Sequence, residues 1–162
     1  MTGLGIELLA ATTQDEIRAE FDSQSGLLSL RSESNDKWPR ALNVDDLVIL
    51  DCSQSGVVRN VELLIPESRW AILASDEFPP LVGPSNALKL LDEELSRMSI
   101  DLPVAVSRSG TTVVMSFVAQ DEEPSGGSLV KLSPTCAARV SNSRLIGLIA
   151  RIIDHAESGS HA

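Results

Sequence analysis

The chain contains no tyrosine, and its aromatic share is only 3%. Its core must therefore be built mainly from aliphatic side chains. Cysteine is almost as scarce. Cys52 and Cys136 stand far apart in apolar surroundings, too sparse for a disulfide framework, so a reducing cytoplasm is the expected compartment. A bridge between these two remains open at this stage. Histidine is limited to His155 and His161, which leaves few bases to activate a nucleophile. The patterns G-x-S-x-G, G-x-G-x-x-G, C-x-x-C and the P-loop are missing as well. No enzyme class and no cofactor is therefore expected.

Positive charge is also in short supply. Lys and Arg number 13 against 23 Asp and Glu, a formal net charge of −10. Such a surface repels phosphate backbones and anionic lipids, so neither nucleic acid nor a membrane is an expected partner. It attracts a basic protein. Long apolar runs are absent too: "LIGLIARIID" is short and carries Arg151, so no membrane-spanning segment is predicted. The opening "MTGLGIELLAATTQDE" lacks a basic start and is not expected to act as a signal peptide.

What is present reads as an ordinary globular chain. Its 162 residues suit one domain. "EIRAEFD" alternates Ile17, Ala19 and Phe21 with charged residues, and "LLSLRS" resumes the alternation after "SQSG". This is a strand, a Gly-bearing turn and a second strand. "DLVILDCSQSGVVRNVELLIP" repeats the device around Gly56, and "SRSG" at 107–110 separates "PVAV" from "TTVVMSFVA". "LGIELLAA" and "LVKLS" read as further strands, and "RWAILAS" starts as one.

Two segments carry helical spacing. "SNALKLLDEELSRM" aligns Leu88, Leu91, Leu95 and Met98, with Ser85 as cap and Lys89–Glu93 and Glu93–Arg97 as ion pairs. "SNSRLIGLIARIIDHAESGS" aligns Leu145, Ile146, Ile149, Ile152 and Ile153, with His155 at its end beside the helix dipole. The predicted fold is α+β: an antiparallel sheet of about six to eight strands built from hairpins, with two helices on one face. Residues 14–66 form a two-hairpin part. Residues 67–157 supply a helix, a hairpin, a strand and the C-terminal helix, and 158–162 a disordered tail.

The stretch "DCSQSGVVRNVE" satisfies the calcium-loop expression, with Asp51, Ser53, Ser55, Gly56 and Glu62 at its key positions. A calcium loop needs helices on both sides, whereas these flanks alternate as strands. Serine oxygens are also weak, neutral ligands. The hairpin reading is the one adopted, and no metal is expected.

Together, "FDSQSGLLSL" and "VILDCSQSGVVRNVELL" resemble a small bacterial domain family of unknown function. In it, a Y-D-x-x-x-D-x-L-Y-I hairpin precedes D-x-D-x-x-G-x-V-V-G-I-E-I-L. Within residues 19–65, Phe21, Asp22, Leu28 and Leu30 fit the first pattern. Asp51, Gly56, Val58, Val61, Glu62 and Leu64 fit the second. Asn60 stands where the family has Gly, and Ser53 where it has the second Asp. The resemblance implies strands and hairpins but no activity.

The remaining candidates are carboxylates. Asp92-Glu93-Glu94 and Asp121-Glu122-Glu123 are the densest clusters, with Asp45-Asp46 and Asp76-Glu77 smaller. They read as solvated faces and polar loops, not as the buried acids of general acid catalysis. Together with Trp38 in "KWPR" as an exposed anchor, they form a candidate docking surface; Trp70 reads as core. Two functions follow. One is an immunity-type inhibitor that occludes the active site of a basic toxin, such as a nuclease. The alternative is an acidic secretion chaperone or assembly subunit that dimerises through the apolar stripe of the C-terminal helix. An enzyme whose carboxylates meet only through the fold is a third reading.

Overall fold

The computed structural model describes residues 3–34, 37–73, 77–118 and 127–152. Strand β1 (Leu4–Ala10) leads to a hairpin, β2 (Arg18–Asp22) and β3 (Leu27–Arg31). A meander follows: β4 (Arg40–Val44), β5 (Val48–Cys52) and β6 (Val58–Leu63). After the two-residue strand β7 (Ala71–Ile72) come β8 (Asn86–Leu90), a single helical turn α1 (Asp92–Leu95) and short β9 (Ser99–Ile100). A second hairpin, β10 (Ala105–Ser109) and β11 (Thr112–Ser116), precedes a second meander. That meander is β12 (Ser128–Ser133), β13 (Cys136–Ser141) and β14 (Arg144–Arg151).

The chain is thus predominantly β among the described residues, and the α+β expectation is overturned. One sheet runs β2-β3-β6-β5-β4-β9. The other runs β12-β13-β14-β11-β10-β7, with β1 joined to β14 and β8 joined to β1. Both are mixed, since β9 lies parallel to β4 and β7 parallel to β10.

Neither long helix forms. The first expected helix is divided into β8 and one turn of α1. Leu88 and Leu90 recur at period two there and are buried, and β8 pairs along its whole length with β1. The second expected helix is β14, buried from Leu145 to Ala150 between β13 and β11. A continuous apolar run cannot by itself distinguish a buried helix from a strand flanked on both sides. Gly147 favours the strand, because a Cβ there would lie 2.7 Å from the Met115 carbonyl oxygen. His155 and residues 153–162 lie outside the described residues.

The hairpin readings hold in kind. β2–β3 and β5–β6 are antiparallel pairs, and Gly26 and Gly56 take the left-handed backbone at φ +70° and +96°. The third hairpin turns one step later than "SRSG" suggests: Ser109 pairs with Thr112 across Gly110–Thr111. "LGIELLAA" and "LVKLS" are strands.

The two sheets share one topology. β2-β3-β6-β5-β4 and β10-β11-β14-β13-β12 are each a hairpin whose second strand pairs with the last strand of the following meander. The equivalence reaches individual hydrogen bonds. Ser32 N–H donates to the Arg59 carbonyl at 2.9 Å, as Phe117 N–H does to the Ile146 carbonyl at 2.9 Å. Leu90 N–H donates to the Gly56 carbonyl at 2.9 Å, as Ile6 N–H does to the Ser143 carbonyl at 3.1 Å. β1, at the head of the first half, pairs with β14 of the second, while β8 bridges Val57 beside β6 of the first. The halves thus exchange their leading strands.

Side chains of both sheets meet in a single aliphatic core. Leu28, Leu30, Leu50 and Val61 pack in one cluster with Met115, Phe117 and Leu148, all within about 1% of complete burial. Each such side chain contributes about 1.5–3 kcal/mol by leaving water.

Candidate functional site

At the outer edge of the six-stranded sheet, β4 ends in a tight turn and β9 returns alongside it. Asp45 and Asp46 take left-handed backbone at φ +53° and +57°, a conformation Asp tolerates better than most residues. Asp45 N–H donates to the Ile100 carbonyl at 2.9 Å, and Asp46 N–H to Asn43 Oδ1 at 2.8 Å. The Asn43 side-chain amide donates in turn to Asp46 Oδ1 at 3.1 Å. These bonds fix the backbone of the turn, and both aspartates are exposed.

Beside them stands Met98, which links α1 to β9. Its N–H donates to the Leu95 carbonyl at 3.2 Å, and its carbonyl accepts from Asn43 N–H at 3.0 Å. The residue is left-handed at φ +62°, yet its side chain is 73% exposed. On the other side of the Asp turn, Leu64 N–H donates to the Leu47 carbonyl at 2.8 Å, and Leu64 is 42% exposed. Asp92, Glu93 and Asp101 are also exposed on α1 and after β9. Cations nearby are exposed Arg97 and half-buried Arg40, the latter 3.5 Å from Asp92. The result is a carboxylate-rich edge with two apolar anchors.

Only part of the candidate surface read from sequence gathers here. Asp92 and Glu93 belong to it. Glu94 does not: it is 3% exposed, and its Oε2 is buried without a hydrogen bond among the described residues. The expected Lys89–Glu93 ion pair is replaced by a contact of Lys89 with Glu7 at 4.0 Å, because Lys89 lies on a strand. Glu77 is exposed in a separate groove whose other charged lining residues are Lys131 and Arg151. Trp38 is half-buried, with the Arg31 guanidinium 5.0 Å above its ring, and is not a free anchor. Trp70 is core and donates its indole N–H to the Ile65 carbonyl at 2.8 Å. Asp76, Asp121, Glu122 and Glu123 lie outside the described residues.

Met98 and Leu64 were not among the anchors read from sequence. Helical spacing assigned Met98 to an apolar packing face. Its actual exposure follows from the strand identity of β8, which turns the chain after a single helical turn.

The "DCSQSGVVRNVE" stretch is a hairpin. Asp51 accepts from the Asn60 side-chain amide at 2.9 Å, and Glu62 is exposed opposite Ile49, along the strand from the turn. A Cβ at Gly56 would meet the Leu90 carbonyl oxygen and Leu95 Cδ1, each at 3.0 Å. Cys52 and Cys136 are free and buried. Burial pushes both thiols up to about 12, with Asp51 adding to the effect at Cys52 and Arg40 opposing it. Thiols in that state are poor nucleophiles at neutral pH. Burial also raises the Asp15 carboxyl, but hydrogen bonds from Thr12 and Arg59 outweigh it and leave the pKa below its ordinary value.

A scan against protein-family models finds no match to the chain, and a search of the curated proteins finds none either.

Proposed function

We propose that this protein is a binding protein that blocks a basic partner in the manner of an immunity protein, docking through the β4–β9 edge. The observation that carries the reading is Met98. A left-handed non-glycine residue costs about 1–2 kcal/mol, and strain of this kind concentrates where function requires it. Here the strain holds a long, adaptable apolar side chain in solvent on the same β4–β9 edge that carries exposed Asp45, Asp46 and Asp101. Methionine suits irregular protein surfaces, and the carboxylates complement lysines and arginines and speed encounter. The net charge of −10 works in the same direction. Free, buried thiols support the cytoplasmic reading, and no described helix is long and apolar enough to cross a membrane.

The alternative, a dimeric secretion chaperone or assembly subunit, loses the face assigned to it. The apolar stripe expected on a C-terminal helix is buried instead, in β14 and at Ile152 just after it.

Co-expression with the product of the adjacent gene tests the proposal. The two should co-elute at low salt and separate at high salt, and the complex should restore growth lost to the neighbour alone. Met98→Gly should weaken the complex while leaving the fold intact. A Met98→Gly, Asp45→Lys, Asp46→Lys variant that protects as well as the parent overturns the assignment of this edge.

A further inference from the structure

The near-equivalence of the two halves exposes where they differ. Ser32 of the first half occupies the register position of Phe117, and Arg59 that of Ile146, both apolar and buried in the second half. The turn between β5 and β6 spans 53–57, whereas its counterpart between β13 and β14 is Asn142–Ser143. These departures lie together, since Ser32 N–H donates to the Arg59 carbonyl and Arg59 borders the longer turn. A polar side chain placed where packing calls for an apolar one is a mark of function rather than of folding.

There the surface opens into a groove of about 660 Å³ lined by Lys37, Pro39, Ser53, Gln54, Ser55 and Arg59. We propose that this groove binds a small molecule through a phosphoryl group. Its lining brings two cations and no carboxylate, an unusual local balance in a chain of net charge −10. Arg59 is 8% exposed and donates from Nη1 to Asp15 Oδ1 at 2.6 Å, which holds the guanidinium in place. Lys37 is exposed on the groove's other wall.

The turn supplies hydroxyls and amides. Ser53 and Ser55 Oγ lie 3.1 Å apart, and Ser53 Oγ accepts from Val57 N–H at 3.2 Å. Gly56 N–H closes the turn onto the Ser53 carbonyl at 2.9 Å, a bond that does not use the amides of Gln54 and Ser55. Arg40 braces the turn by donating to the Gln54 carbonyl at 3.3 Å. Behind the groove wall, Ser32 Oγ and Trp38 Nε1 are buried without a hydrogen bond among the described residues. Guanidinium, ammonium, hydroxyl and backbone N–H together match a tetrahedral oxyanion. The volume lies within the usual range for small-molecule sites, about 300–1,000 Å³, and leaves room for an organic body beyond the phosphate.

Titration of the full chain with adenosine monophosphate, inorganic phosphate and adenosine, followed by amide shifts at constant ionic strength, tests the site. Saturable shifts of Gln54, Ser55 and Arg59 are expected with the monophosphate and, more weakly, with phosphate, but not with adenosine. Lys37→Ala should lower the monophosphate affinity by about tenfold, the value of one charge-assisted hydrogen bond. Lys37 is exposed, so this variant should fold, and an unchanged amide spectrum away from the groove verifies it. Shifts that do not saturate, that adenosine reproduces, or that persist unchanged in Lys37→Ala overturn the proposal. Its outcome is independent of the β4–β9 edge.

Discussion

At the scale of single residues, the chain departs from ordinary packing at a few positions whose consequences are measurable. Met98 combines φ +62° with 73% exposure, so Met98→Gly removes backbone strain and little packing. It should raise the melting temperature by about 2–4 °C, the shift that about 1 kcal/mol produces in a chain of this size. A calorimetric scan showing destabilisation would remove the strain argument. Asp15 is held below its ordinary pKa, burial opposing and hydrogen bonds from Thr12 and Arg59 prevailing. Its carboxylate therefore stabilises the fold above the unfolded value of 3.8, and that contribution is lost as pH falls through the lower folded value. Asp15→Asn should accordingly narrow the difference in stability between pH 5 and pH 2, as read by urea denaturation. The two thiols have the opposite sign. Raised to about 12, they favour the folded state fully below 9.0 and progressively less as pH rises towards 12. At neutral pH, labelling of Cys52 and Cys136 by a thiol reagent should proceed only at the rate of unfolding. Fast labelling of either would contradict its burial.

At the scale of elements, β14 and β8 show what decides between helix and strand. Both carry aliphatic residues at spacings that fit a helix, and both are strands because partners from elsewhere in the chain take up their hydrogen bonds: β14 lies between β13 and β11, and β8 pairs with β1 and bridges to Val57. Gly147 is the residue where this choice is most constrained. An added Cβ at 2.7 Å from the Met115 carbonyl would force β11 and β14 apart. Gly147→Ala should cost about 1–3 kcal/mol, as overpacking usually does, and Gly147→Val more. Had this segment been a helix, alanine there would have stabilised it by about 1 kcal/mol. The sign of the change in urea midpoint thus discriminates the two elements. Within the single turn of α1, Glu94 faces inward with Leu95, while Asp92 and Glu93 are exposed.

At the scale of the whole molecule, two sheets of one topology share a core and exchange their leading strands. A fold tied together in this way should unfold once. Leu30→Ala in one sheet and Met115→Ala in the other should each lower stability by about 2–5 kcal/mol. Both should shift one common transition, seen alike by circular dichroism and tryptophan fluorescence. Two separable transitions would show that the halves are independent. The internal equivalence also locates function by contrast, because sites stand out where one half has replaced apolar residues by Ser32 and Arg59.

By itself the sequence determined the hairpins. Period-two alternation through Ile17–Phe21, Leu28–Leu30 and Val48–Leu50, punctuated by Gly26 and Gly56, is a local signal and needs no partner to be read. The aliphatic core, the buried Trp70 and the acidic surface were legible for the same reason. Only the tertiary structure decided that Asn86–Leu90 and Arg144–Arg151 are strands, that β1 and β8 cross between the halves, and that Glu94 faces inward. It also brought Asp45, Leu64, Met98 and Asp101 to one edge, and Lys37, Ser53 and Arg59 to one groove. An apolar run states that it must be buried, but its hydrogen-bond partners come from elsewhere in the chain. Those partners, and not the run, choose its conformation.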